Sequence, residues 1–331
     1  MKTTRREFAK GIASVVIAAR LAPGKNQERL PIAFSTLGCP AWDLQRILTF
    51  AEEHGFAAVE LRGLQGNLDL PSHPVFAADR IAQTKSEIQS HGLRIACVSS
   101  SASLHESDPE KRAKVLADAR RFIDLASSLQ APYVRVFGSS AAAHAVPPSD
   151  ELKARVADGL HELGNYSGLR NVSVIIESHD NFTASGSLAD VLHRADSKFA
   201  ALLWDAHHTF ASSDEDPKFT VKQLGPWIRH THLKDSVGKG EDRKYVLTGR
   251  GNVPIGEQIA SLRSIGYKGF YCFEWEKCGI RNLKIPRSPL RILRGSSPRI
   301  CARSILAQKC ASLGVWFILA CLRQAGAAEG G

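Results

Sequence analysis

Four apolar runs in the middle and late parts of this chain end in residues that could bind a metal or move a proton. VSVIIESHD ends in Glu177 and His179, and ALLWDAHHTF breaks at Asp205 and then His208. IRHTHLKD carries His230, His232 and Lys234, and GFYCFEWEK carries Glu274. Taken together, Glu177, Asp205, His232 and Glu274 offer three carboxylates and one imidazole. This mixed oxygen and nitrogen set suits Mn2+, Mg2+, Co2+ or Zn2+ and is poorly suited to soft metals. Three acids packed together would raise one another's proton affinity, so a cation is the natural resolution. Singly, each has an ordinary alternative: a strand-end salt bridge for Glu177, a cap on the following turn for Asp205, a satisfied core histidine for His232, a solvated charge for Glu274. His208 is three residues past Asp205 and could reach a substrate hydroxyl or a second metal. His179, with Asp180, and Lys234, with Asp235, are candidate substrate contacts.

Such residues act together only if the fold brings the strand ends to one place. After Pro31 the chain alternates strand and helix. The pattern predicts strands over 32–38, 58–64, 93–101, 133–139, 172–178, 201–207, 228–234 and 269–275. Helices are expected over 42–54, 77–91, 109–130 (with Pro109 in the first turn), 149–163, 187–195, 219–227 and 255–265. Eight strands alternating with helices over some 250 residues match a (β/α)8 TIM barrel, whose strand ends converge at one C-terminal mouth. The competing doubly wound sheet would carry a glycine-rich phosphate loop after its first strand, and STLGCPAW is not one.

The 331 residues carry a formal charge of +10. Within 25–277, however, 29 Lys/Arg face 31 Asp/Glu, so the basic excess sits at the two ends and no nucleic-acid partner is expected. Strands two and four show no ligand-type ends, which also argues against a multi-zinc nuclease site. Three of the seven cysteines, Cys39, Cys97 and Cys272, lie in the body, and no C-x-x-C pair is present. Residues 1–24 read TTRREFAK followed by a short apolar stretch. They resemble a twin-arginine export signal, which implies a periplasmic or exported protein, cytoplasmic if the signal does not act. The stretch is too short for a stable membrane anchor.

The body, residues 25–277, resembles over about 30–277 the sugar phosphate isomerase/epimerase family with the xylose isomerase-like barrel. The resemblance rests on FSTLGCPAW, HGFAAVELRG, VIIESHD, the Asp-x-x-His of WDAHH, HTHLKD, GRGNVPIGEQIASL and YKGFYCFEWEK. It implies one divalent metal, Mn2+ first among the candidates, held by Glu177, Asp205, His232 and Glu274. It also implies a small sugar substrate whose carbonyl and neighbouring hydroxyl the metal polarises. Glu177 and Glu274 are then the catalytic pair, one removing the proton next to the carbonyl to form an enediolate and the other returning it. His208, His179 and Lys234 are the implied substrate-binding residues. The arginine that ketose epimerases place six residues after the strand-seven histidine is replaced by Gly238. This keeps two relatives of the reaction in view, a keto-glycoside lyase and a cyclitol dehydratase. A non-catalytic or decayed sugar-binding barrel is the alternative of another class. The oligomeric state is not legible.

Beyond Lys277 the family pattern, a Trp-His-Pro-Glu-type segment, an acidic stretch and a last amphipathic helix, gives way to a basic segment, 278–331. The last helix is therefore expected to be missing or altered. Back-translating 278–293 with free codon choice and reading two bases later can restore Trp-His-Pro-Glu and an acidic stretch, which makes this tail a candidate frameshift product. Sequencing the gene is expected to show that segment in the shifted frame. A frame that lacks it would make the tail a genuine basic extension.

Overall fold

The computed structural model describes residues 29–140, 146–238 and 240–275. The expected export signal at 1–24, the basic tail at 278–331 and the last helix lie outside the described residues. Eight parallel strands close into a barrel: β1 (Ile32–Ser35), β2 (Ala58–Leu61), β3 (Arg94–Ser103), β4 (Tyr133–Phe137), β5 (Ser173–Glu177), β6 (Ala200–Asp205), β7 (Ile228–Leu233) and, after an inserted hairpin of β8 (Asp235–Val237) and β9 (Lys244–Val246), β10 (Tyr271–Phe273). The ring closes where β10 pairs with β7 on one side and with β1 on the other, Ile32 facing Tyr271 and Thr231 facing Tyr271.

Helices α1 (Leu44–Glu53), α2 (Ile81–Ser90), α3 (Pro109–Leu129), α4 (Asp150–Gly168), α5 (Ser185–Ala195), α6 (Ala206–Ser213), α7 (Pro217–Leu224) and α8 (Ile255–Ser264) connect the strands. Their starts follow local chemistry. Asp43 accepts from Arg46 N at 2.8 Å, Asp108 from Lys111 N at 2.9 Å with Pro109 at the first helical position, and Ser149 from Leu152 N at 3.2 Å. Two elements depart from expectation. The sixth strand stops at Asp205, because that residue caps α6, a helix the pattern did not predict. The β8–β9 hairpin lies between 234 and 255, where the sequence pattern assigns no element.

Alternation along each strand sorts the core into two compartments. Val134, Val136, Val174, Ile176, Leu202 and Trp204 pack outward beneath the helices. Inside, Ala33, Ala58, Ala96 and Cys272 form one small apolar cluster and Cys97, Ile175, Ala201 and Leu203 another. The remaining interior positions are polar and fully or nearly fully buried: Ser35, Glu60, Ser99, Arg135, Glu177, Asp205, His230, His232 and Glu274.

The excursion after β7 is tied down by Asp235. Its Oδ1 accepts from Ser236 N at 2.9 Å and Val253 N at 3.2 Å, and its Oδ2 accepts from Gly249 N and Gly251 N, both at 2.8 Å. Asp235, a candidate substrate contact by sequence, is thus committed to holding its own loop. A Cβ on Gly251 would lie 2.1 Å from Asp235 Oδ1, so Gly251 of GRGNVP makes way for this carboxylate. Asp235→Ala is expected to cost about 3 kcal/mol or more, since four backbone N–H groups lose a charged acceptor. Gly251→Ala should also destabilise. In denaturant unfolding the double variant should fall short of additivity by more than about 0.5 kcal/mol, and strict additivity would refute this account of the loop.

Candidate metal centre

The ends of β5, β6, β7 and β10 lie side by side in the ring, so their last inward side chains meet. Glu177, Asp205, His232 and Glu274, predicted from the sequence, are all buried, with one ligand atom of each within 4.8 Å of the others. From His232 Nδ1 it is 3.2 Å to Glu177 Oε1, 3.4 Å to Glu274 Oε1 and 3.9 Å to Asp205 Oδ2. Ligand atoms sharing one ion through bonds of about 2.1 Å sit about 3.0–3.5 Å apart. The spacings to Glu177 and Glu274 and the donor set of three carboxylates and one imidazole therefore fit a divalent cation, with Asp205 Oδ2 a few tenths of an ångström wider.

Asp205 divides its oxygens between two tasks. Oδ1 accepts from His207 N at 3.0 Å and His208 N at 3.3 Å, capping α6, while Oδ2 faces the cluster. The capping reading and the ligand reading thus describe different atoms of one residue. The cap also places His208 beside the cluster, with Nε2 3.5 Å from Asp205 Oδ2. The His179 ring lies 4.6 Å from that of His208 and 5.0 Å from Phe137, and its Nδ1 is 3.0 Å from Asp180 Oδ1. Lys234 is buried, with Nζ 2.7 Å from Asp205 Oδ2 and 2.8 Å from Glu274 Oε2. Of the three predicted substrate contacts, His208 and Lys234 therefore border the four-residue cluster directly, and His179 stands behind His208.

Electrostatics differentiate the acids. Burial raises the Asp205 carboxyl to about 6; Glu274 and Glu177 add to the rise and Lys234 opposes it. Burial also favours neutral Glu177, but Arg135, whose Nη1 is 3.2 Å from Glu177 Oε2, together with His232, outweighs it and holds the carboxyl below the ordinary range. Burial disfavours the charged form of His232, yet the carboxylates of Glu274, Glu60 and Glu177 raise its proton affinity well above the usual histidine value. His208 moves the other way, kept neutral by burial and by the Lys234 charge.

Two functional groups escaped sequence reading. Arg135, on β4, is the buried counter-charge of Glu177. Glu60, on β2, accepts from His232 and His230 in the barrel interior. Strands two and four thus do contribute charged groups, placed within the strands rather than at their ends. The signal available was alternation: in the four-residue strand AVEL, Glu60 falls on the same side as Ala58, and in YVRVF Arg135 falls between two outward valines.

Comparison with known proteins supplies the context. A profile of the family described as "Xylose isomerase-like TIM barrel" matches residues 48–294, an interval that extends past Lys277 into the basic tail. A curated relative, inosose dehydratase of Bacillus thuringiensis (strain Al Hakam), is 24% identical over 140 residues, 37% of this chain and 47% of that protein. The chain thus spans about half the length of the curated relatives it matches. Among solved structures, an L-ribulose 3-epimerase aligns with TM-score 0.70 at 16% identity over 92% of this chain and 97% of its own. The IOLI protein with a binding zinc atom aligns with TM-score 0.70 at 14% identity over 89% and 99%. At such identities these structural likenesses speak for the fold. The closed parallel barrel and a profile match over most of the sequence agree, and the chain belongs to the xylose isomerase-like TIM-barrel family.

Proposed function

We propose that this chain is a divalent-metal-dependent isomerase or epimerase that acts on a sugar or keto-sugar by removing the proton next to a carbonyl. The observation that carries the reading is the convergence of Glu177, Asp205, His232 and Glu274 at ion-sharing distances in the barrel mouth. A divalent ion held by these four, Mn2+ foremost with Mg2+, Co2+ or Zn2+ as alternatives, would supply a Lewis acid for a carbonyl and its neighbouring hydroxyl.

The chain's own residues divide the remaining work. Glu177 and Glu274 approach His232 Nδ1 from strands separated by β6 and β7, so one carboxylate takes a proton while the other returns one. Arg135 stays with Glu177, buried and 3.2 Å away. Lys234, shared between Asp205 and Glu274, offers positive charge where an enediolate oxygen develops. His208, bordering the cluster, and His179 behind it present hydrogen-bonding rings to substrate hydroxyls. Among the described residues no helix is long and apolar enough to cross a membrane. The twin-arginine-like start makes the periplasm the proposed compartment.

A second reading, a cyclitol dehydratase, is favoured by the inosose dehydratase relatives and by Gly238 where ketose epimerases keep arginine. It begins with the same proton removal and ends with loss of the β-hydroxyl as water. Elemental analysis of the full chain is expected to find about one divalent ion. Glu274→Gln should lower its occupancy and reduce turnover by about 10²–10⁴-fold. In deuterated water, epimerisation places deuterium on carbon without new ultraviolet absorbance, whereas dehydration generates an enone chromophore. A folded protein that binds no divalent metal would overturn the proposal.

A further inference from the structure

Glu60 sits one layer beneath the metal-ligand cluster and reaches across the barrel. Its Oε2 lies 2.7 Å from His232 Nε2 and 2.8 Å from His230 Nε2, and its Oε1 accepts from Ser35 Oγ at 3.0 Å. Cys272 Sγ is 3.9 Å from the same Oε2. Glu60, His230, His232 and Cys272 are fully buried, with ligand atoms within 4.8 Å of one another. A second ion enclosed in the barrel is therefore the competing reading, with His232 as its bridge to the first.

Spacing separates the two. Around His232 Nδ1 the carboxylate oxygens of Glu177 and Glu274 stand at 3.2 and 3.4 Å, the separation of atoms that share an ion, with Asp205 wider at 3.9 Å. Around Glu60 Oε2 the imidazole nitrogens stand at 2.7 and 2.8 Å, the length of charge-assisted hydrogen bonds. The two edges of the His232 ring thus differ in spacing: Nε2 makes one short contact to Glu60, while Nδ1 faces three more widely set carboxylates, of which Glu177 at 3.2 Å is also within hydrogen-bond reach. A neutral imidazole has one ring proton for two nitrogens. Left to Nδ1, that proton would point at Glu177, Asp205 and Glu274 and occupy the lone pair a metal needs. Among the described residues, Glu60 is the carboxylate that draws it to Nε2.

We infer that Glu60 is a positioning residue: it holds His232 as the Nε2–H tautomer, turning the Nδ1 lone pair into the metal centre. His230, from β7, and Ser35, from β1, hold the Glu60 carboxylate in turn. This inference rests on the proposed metal site. Partners that hold a metal-binding histidine in this way typically contribute about 10–100-fold to metal affinity.

The test uses full-length protein and Zn2+, which is diamagnetic. Zinc affinity is measured by chelator competition, zinc content by elemental analysis, and the histidine ring tautomers by nitrogen-15 spectra of the zinc-loaded protein. Glu60→Gln should weaken zinc binding by about 10–100-fold while the metal-free variant still unfolds cooperatively, and Glu60→Asp should restore part of the loss. Cys272→Ser should keep one zinc per chain. His232 in the unsubstituted protein should bind through Nδ1 with its proton on Nε2. That spectrum needs no variant, so it decides the matter even if a Glu60 substitution fails to fold. Unchanged affinity in both Glu60 variants, or zinc bound through Nε2, would overturn the role of Glu60 alone. Two zinc ions, one of them lost in Cys272→Ser, would replace it with the deep metal site. No zinc in the unsubstituted protein would instead overturn the metal-centre reading itself.

Discussion

Four buried carboxylates, Glu60, Glu177, Asp205 and Glu274, crowd around one imidazole inside the barrel, and their mutual repulsion is the constraint that the neighbouring residues answer. An ionised carboxylate taken out of water is costly unless it is paired and hydrogen-bonded. Here each one is. Glu60 accepts from two imidazoles and a serine, Glu177 faces Arg135, and Asp205 and Glu274 share Lys234. Two protein cations, Arg135 and Lys234, and two histidines, His230 and His232, are thus drawn to the same part of the barrel interior. The donor set left facing His232 Nδ1 is one that a divalent ion would complete.

The surrounding scaffold uses the same groups to shape itself. Asp205 ends a strand, caps the next helix and still presents an oxygen to the centre, so the placement of His208 is coupled to that of a ligand. Immediately after Lys234, Asp235 gathers four backbone N–H groups and folds the 236–253 excursion back onto the barrel, with Ser236 Oγ 2.9 Å from His207 Nε2. Adjacent residues of one segment therefore serve opposite ends: His232 and Lys234 turn to the centre, and Asp235 turns to the loop.

Much of this was legible locally. Alternating apolar runs and helical spacing predict the eight barrel strands, and the abrupt polar residues at four consecutive strand ends predict which side chains share the mouth. The reading failed where local patterns compete. Asp205 satisfies both a strand-end and an N-cap pattern, so the boundary between β6 and α6 shifted by two residues and the short helix was missed. The hairpin of β8 and β9 has only three residues per strand, too few for alternation to register.

The sequence by itself determined the order of strands and helices, the near-neutral body and the four strand-end candidates, because these depend on residue type and on periods of a few residues. Only the tertiary structure decided which edge of His232 faces the candidate metal centre and which faces Glu60, a residue 172 positions away in the chain. It also decided that Arg135 stands against Glu177 across neighbouring strands. The reason is closure. A strand's alternation says that a side chain points inward, but only the joining of β10 to β1 sets β2 across the interior from β7 and brings Glu60 to the far side of the imidazole.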